Sequence, residues 1–308
     1  MKEREVCFLK VKNDYLSFLN KEEIYGKSKA LKINNLKRTY IPISFWIENK
    51  YKKKGSTLFL GFSGGQGSGK TTVTKILKII LKKFFKRKIC VSSIDDFYKS
   101  LKERNKMAND IHPLFQTRGV PGTHDTNLLV NFLRKIMKKK FKKFKLPKFD
   151  KSIDDRFKNK YWTNIKERPE IVIFEGLCVG AKPQANSLIK KPINILEKHE
   201  DKGMVWRKYV NERLKTDYKK IFSKIDHFIF MKIPSFKMAF KWRLLQENKL
   251  REHSSTEKKI MTYNEIKRFI MFYERITLQM LKDLSKSASI VMILNKNHEI
   301  KKNLFKLS

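Results

Sequence analysis

The chain has 308 residues, 41% of them hydrophobic, which is enough for one large domain or two modest ones. Its 71 Lys and Arg against 30 Asp and Glu give a net charge of +41, a field that attracts polyanions and nucleotides. Three distant cysteines and scattered histidines argue against a disulfide framework or a zinc site and fit a reducing compartment, and no apolar run approaches the ~18 residues that cross a bilayer.

Residues 1–37 are polar, mixed in charge and carry no assignable element. The acids Glu3, Glu5, Asp14, Glu22 and Glu23 argue against a secretory or organellar leader, so a cytoplasmic location is expected. Tyr40 to Trp46 (YIPISFW) opens the packed domain, taken as 38–308, and Lys50 to Gly55 reads as a basic linker. Five β-rich apolar runs follow: Thr57 to Ser63, Ile89 to Ile94, Ile171 to Phe174, His227 to Ile233 and Ser289 to Leu294. Helical patterns between most of them predict an α/β fold, a parallel sheet with helices on both faces. Ligands of such sheets gather at the carboxyl ends of the strands.

Directly after the first run, Gly64, Gly65, Gln66, Gly67, Ser68, Gly69, Lys70 and Thr71 satisfy the phosphate-loop pattern G-x-x-x-x-G-K-[ST]. Glycines let backbone N–H groups close on phosphate oxygens, and the following helix adds its N-terminal donors and dipole. Thr72 belongs to the same nucleotide-binding set; Lys70 would reach the β- and γ-phosphates and the Thr71 hydroxyl would ligate Mg²⁺. Val73, Ile76, Leu77, Ile80, Leu81 and Phe84 give that helix one apolar face.

After the second run come Asp95, Asp96, Phe97 and Tyr98; one aspartate is the candidate base for an attacking hydroxyl, and the other is free to cap the next helix. Glu175 ends the third run, where a metal-associated acid sits. Between those runs lie loops with Arg118, His124, Asp125, Lys151 and Arg156. Arg118, Lys151 and Arg156 are candidates to pair with a substrate carboxylate and Asp125 to accept from substrate hydroxyls, with surface ion pairing as the alternative. Tyr98, His124 and Asp96 complete the candidate substrate set. Arg243, on the helix after the fourth run, is a candidate lid arginine. Thr262 to Glu265 reads as a capping box opening a long helix whose stripe Ile266, Phe269, Ile270, Tyr273, Ile276, Met280 and Leu284 is core.

GGQGSGKTT, SIDDFY, RGVPGTHD, FDKSIDDR, VIFEGLCVGAKP and the segment from Trp206 to Trp242 together resemble the D-glycerate 3-kinase family, in its fungal and bacterial kinase-like branch, and more distantly uridine kinase, phosphoribulokinase and pantothenate kinase. The resemblance covers about residues 38 to 308. It implies a P-loop NTPase fold with a five-stranded parallel sheet in order 2-3-1-4-5, a helical lid at about 235–262, Mg²⁺-ATP, and transfer of the γ-phosphoryl group to a small-molecule hydroxyl, D-glycerate first. It places the base at Asp95 rather than Asp96, gives Glu175 the metal and Asp125 a substrate hydroxyl, and likens Lys241, Trp242 and Arg243 to a lid segment. Phe157 to Glu167, basic and aromatic, departs from the pattern near the expected substrate mouth.

Two other readings stay open. One is a kinase of another acceptor, a nucleoside or a different hydroxy acid. The other is a P-loop ATPase associated with nucleic acid; lysine spread along the whole chain rather than gathered in a tail speaks for compositional bias instead.

Overall fold

The structure, a computed structural model, describes residues 2–22, 28–253 and 261–306. The expected N-terminal unit (1–37) and lid (235–262) therefore extend in part outside the described residues.

The central sheet contains β1 (Leu58–Gly64), β2 (Ile89–Ser93), β3 (Ile171–Gly176), β4 (His227–Lys232), β5 (Ile290–Leu294) and β6 (Ile300–Phe305). The five parallel strands lie in the order β2-β3-β1-β4-β5, which is the expected 2-3-1-4-5. β6 extends the sheet beyond five strands, pairing antiparallel with β5 at the edge. Every residue of β1 and β3 is buried, as strands covered on both faces require. On β6, Lys301 and Lys302 are exposed, and charge of this kind blunts an open edge.

Helices cover both faces. On one side lie α1 (Lys2–Lys21), α2 (Ile41–Lys54) and α3 (Lys70–Lys83). Cys7, Phe8, Val11, Tyr15 and Leu19 of α1 share one core with Leu60, Phe62, Ile76, Leu77, Ile80 and Ile173. The first helix is thus a layer over α3 and part of the packed body. The stretch read as a linker, Lys50 to Gly55, is instead the last turn of α2 with Gly55 as its left-handed cap at φ 67°. Its lysines complement the negative end of the helix dipole, which explains a basic run inside an element.

The opposite face carries α4 (Leu101–Asp110), α5 (Thr126–Met137), α6 (Val205–Arg213) and, after α7 (Phe236–His253), whose buried Met238, Ala239 and Trp242 join the first core, α8 (Tyr263–Ser287). α8 starts with the expected capping box: the Glu265 backbone N–H donates to Thr262 Oγ1 at 3.3 Å, and the Thr262 N–H donates to Glu265 at 2.8 Å. Its stripe from Ile266 to Leu284 is buried, with Phe269 partly so. Residues 157–167 form a turn and a strand, Thr163–Ile165, paired with Phe144–Leu146.

Candidate active site

The register of the sheet aligns three strand ends. Glu175 of β3 lies opposite Phe62 of β1 and Ser93 of β2, so the phosphate-loop sequence, the acid and the Asp95 turn meet at one edge. The loop leaves β1 and enters α3 at Gly69, whose φ of 87° a side chain would strain. At Gly67 (φ 67°) a Cβ would stand 2.8 Å from Cβ of Trp242, so α7 rests directly on the loop.

Lys70 folds back onto this loop, donating to the carbonyls of Gly64 (3.0 Å) and Gly65 (3.1 Å). Burial lowers its pKa, and Glu175 and Asp95 act against that. The Ser68 hydroxyl and Gln66 Oε1 are buried without a hydrogen-bond partner. Orphaned polar atoms on a loop of turned-in N–H groups fit a polyanion better than an empty turn. The Thr71 hydroxyl donates to Glu175 Oε1 at 3.2 Å, a pair of hard oxygens suited to a cation such as Mg²⁺. Among the described residues, no group of three or more His, Cys, Asp and Glu side chains could hold a metal by itself, so phosphate and water would have to complete the shell.

The two aspartates are separated by their bonds. Asp96 closes a capping box with Ser93 over the turn Ile94–Phe97, accepting from the Ser93 N–H at 3.4 Å. Burial and the neighbouring Asp95 push its pKa up to about 6. Asp95 accepts from the Tyr98 hydroxyl at 3.0 Å and from the Lys151 ammonium at 2.6 Å. Burial would raise its pKa, but Lys151 outweighs it and the carboxyl settles at about 2.

The loop carrying Lys151 is pinned by a residue that the sequence does not single out. Arg104 is fully buried and donates to the carbonyls of Lys99, Gln116 and Asp154, with the Asp154 carboxylate at 3.0 Å. One arginine in a helix rich in charge carries no signal that its side chain points inward. Arg118 pairs with the same Asp154. Arg156 donates to the Tyr98 carbonyl at 2.9 Å and pairs with Asp125 at 3.4 Å. Asp125 also caps α5 through the Leu128 N–H at 2.9 Å. Arg118, Arg156 and Asp125 therefore hold these loops together, while Lys151 sits on Asp95 with its side chain 61% exposed. His124 is buried against Tyr98, the rings stacked at 4.5 Å. Arg243 pairs with the buried Glu247 one turn along α7, and its guanidinium lies over Phe269 at 5.6 Å. The loop is instead met by Trp242, which packs on His298 at 4.4 Å.

A phosphate loop at the end of the central strand of a β2-β3-β1-β4-β5 sheet, with an acid on the neighbouring strand and a helix laid over the loop, defines a P-loop phosphotransferase. Residues 59–195 match the phosphoribulokinase / uridine kinase family. An uncharacterized kinase, mug58, of Schizosaccharomyces pombe is 31% identical over 236 residues, covering 74% of this chain and 82% of that protein. The chloroplastic D-glycerate 3-kinase of Arabidopsis thaliana is 28% identical over 284 residues, 83% of this chain and 59% of the plant protein. The fold superposes on D-glycerate 3-kinase from Cryptococcus neoformans with a TM-score of 0.72 at 22% identity, covering 87% of this chain and 99% of that one. The chain belongs to the phosphoribulokinase / uridine kinase family: it is a kinase that phosphorylates an alcohol group. Membership implies ATP as the donor. Among the described residues no helix is long and apolar enough to cross a membrane.

Proposed function

We propose that the protein is an ATP-dependent kinase of a small hydroxy acid, D-glycerate first, with 38–308 as the kinase unit and a lid at about 235–262, working in a reducing cytoplasm that keeps its three cysteines free. The observation that carries the acceptor class is the Asp95–Lys151 pair. It sets an exposed cation within 2.6 Å of the candidate base, which suits an acceptor whose reacting hydroxyl stands close to a carboxylate. The likeness to the plant D-glycerate 3-kinase supports the same choice.

In this reading Gly64 to Thr72 bind the triphosphate, and Lys70 exchanges its two loop carbonyls for phosphate oxygens. Thr71 and Glu175 would hold Mg²⁺, which supplies charge neutralisation on the phosphates when bound. Lys151 moves to the acceptor carboxylate and releases Asp95. The acceptor oxygen then bonds to the γ-phosphorus as the bond to the ADP oxygen breaks, and its proton passes to Asp95. Little base strength is required because the transition state is loose, and the departure of Lys151, which holds the carboxyl at about 2, raises the basicity of Asp95 as the proton arrives. Asp96, Tyr98, Arg118, His124, Asp125 and Arg156 shape the acceptor side, and Arg243 would leave Glu247 to meet the transferring group as the lid closes.

The test is ADP release from Mg²⁺-ATP with and without D-glycerate, beside a Lys70→Ala control. Glycerate-dependent release that the control lacks is expected; release indifferent to glycerate would discard this acceptor.

A further inference from the structure

His124 and Tyr218 form a buried pair whose hydrogen atoms can be counted. His124 is 1% exposed and Tyr218 fully buried. His124 Nδ1 and the Tyr218 oxygen are 2.6 Å apart, and the same oxygen accepts the Gly122 N–H at 3.0 Å. His124 Nε2 is buried with no partner. Burial lowers the His124 pKa to about 4, so the ring is neutral at physiological pH. Two arrangements are then open. If the phenol donates to Nδ1, every group but one is satisfied and the remaining orphan is a proton on Nε2. If Nδ1 carries the proton, the buried phenol hydrogen and the Nε2 lone pair are both orphaned. An unpaired buried polar group costs about 1–3 kcal/mol, so the first arrangement wins.

The lock is also placed near the chemistry. His124 pairs by a backbone bridge with Tyr98 and stacks on its ring, and the Tyr98 hydroxyl donates to Asp95. The field of Asp95 reaches the imidazole. Tyr218 closes a π-helical segment, Leu214–Tyr218, an irregularity that occurs frequently at functional sites.

We propose that Tyr218 locks His124 as a neutral Nε2–H donor, and that this donor takes a second oxygen of the acceptor, a carboxylate or neighbouring hydroxyl oxygen, while the reacting hydroxyl is held at Asp95. The inference rests on the acidic-acceptor reading above. His124 then sets acceptor specificity and Tyr218 is its positioning residue.

Two measurements on the full chain decide it. Proton-detected ¹⁵N spectra of histidine-labelled protein, with His124→Gln to identify the signal, should show His124 as the Nε2–H tautomer and a mixture of tautomers in Tyr218→Phe. An Nδ1–H ring in the wild type overturns the lock. In kinetics, His124→Leu is expected to raise KM for D-glycerate about 10–100-fold, the effect of a lost bond to a charged oxygen, with KM for ATP unchanged. His124→Gln, whose amide nitrogen can stand near the Nε2 position, should recover most of that loss, and His124→Asn should not. Equal losses in Gln, Asn and Leu, or losses shared with ATP, would reduce His124 to a packing residue. Wild-type ADP release that ignores glycerate would instead remove the acceptor reading and this inference together, a result distinct from an active wild type with indifferent His124 variants.

Discussion

Asp95 and Lys151 are the pair on which most of the chemistry turns, and they give opposite responses to substitution. Asp95→Asn is expected to lower kcat by about 10²–10⁴ while KM for ATP stays nearly constant, the signature of a group acting in the transition state. Activity equal to wild type would remove Asp95 from the mechanism. Lys151 works through charge. With the lysine present, burial is overridden and the carboxyl stays ionised until pH falls through about 2, so the ion pair is complete above the ordinary carboxylate range and lost only in strong acid. In Lys151→Met, the largest counterweight to burial is gone while the Tyr98 hydroxyl bond remains, and the pKa rises. The acid limb of kcat/KM should then move to higher pH, by about one unit or more, and KM for an acidic acceptor should rise. An unmoved limb would show that Lys151 does not govern Asp95.

At the scale of elements, the contact between α7 and the loop makes a sharp demand. Gly67→Ala would force a methyl against Trp242 at a positive φ, so KM for ATP should rise by about 10-fold or more, given that strained backbone alone costs roughly 1–3 kcal/mol. Retained affinity would mean that α7 yields freely. On the other face, Leu19→Ala in α1 removes a side chain only 4% exposed and is expected to cost about 2–4 kcal/mol in denaturant unfolding; a loss below 1 kcal/mol would make α1 an ornament on the core. The five parallel strands were readable because buried strands are continuous apolar runs. α1 was not, since its apolar residues Cys7, Val11, Tyr15 and Leu19 recur every four positions among lysines and give only a narrow stripe. β6 hid for a related reason: its polar run Lys301, Lys302 and Asn303 breaks any strand pattern and makes an edge strand look like a tail. In the site, spacing singled out Lys70, Thr71, Asp95 and Glu175 as candidates, because each ends or closely follows a strand. Whether Arg118, Asp125 and Arg156 face a substrate or one another is a matter of tertiary distance, and no local pattern encodes it. Tyr218 and Arg104 left no trace at all.

For the whole molecule, a net charge of +41 is a cost to the compact state and a lure for anions. Described ion pairs such as Lys37–Glu5 and Lys83–Asp14 are exposed and offset little of it. Added NaCl should therefore raise the melting temperature between low and moderate ionic strength, as screening shortens the reach of like-charge repulsion. KM for ATP should rise over the same range as steering weakens. A melting temperature that falls with salt would show that specific ion pairs outweigh the net field.

The position of β1 between β3 and β4 has a consequence for how the chain reaches this state. The strand that ends in the phosphate loop is formed from the first quarter of the sequence, yet its two hydrogen-bonded neighbours come from the middle and the last third. During synthesis α1, α2 and α3 can collapse on one another at once, whereas the loop between β1 and α3 has no finished sheet beneath it until residue 232 has emerged. Loop-closure entropy opposes such distant pairings and slows them. The nucleotide site is consequently among the last parts of the enzyme to be assembled, and a nascent chain interrupted before β4 would carry the full phosphate-loop sequence without its binding geometry.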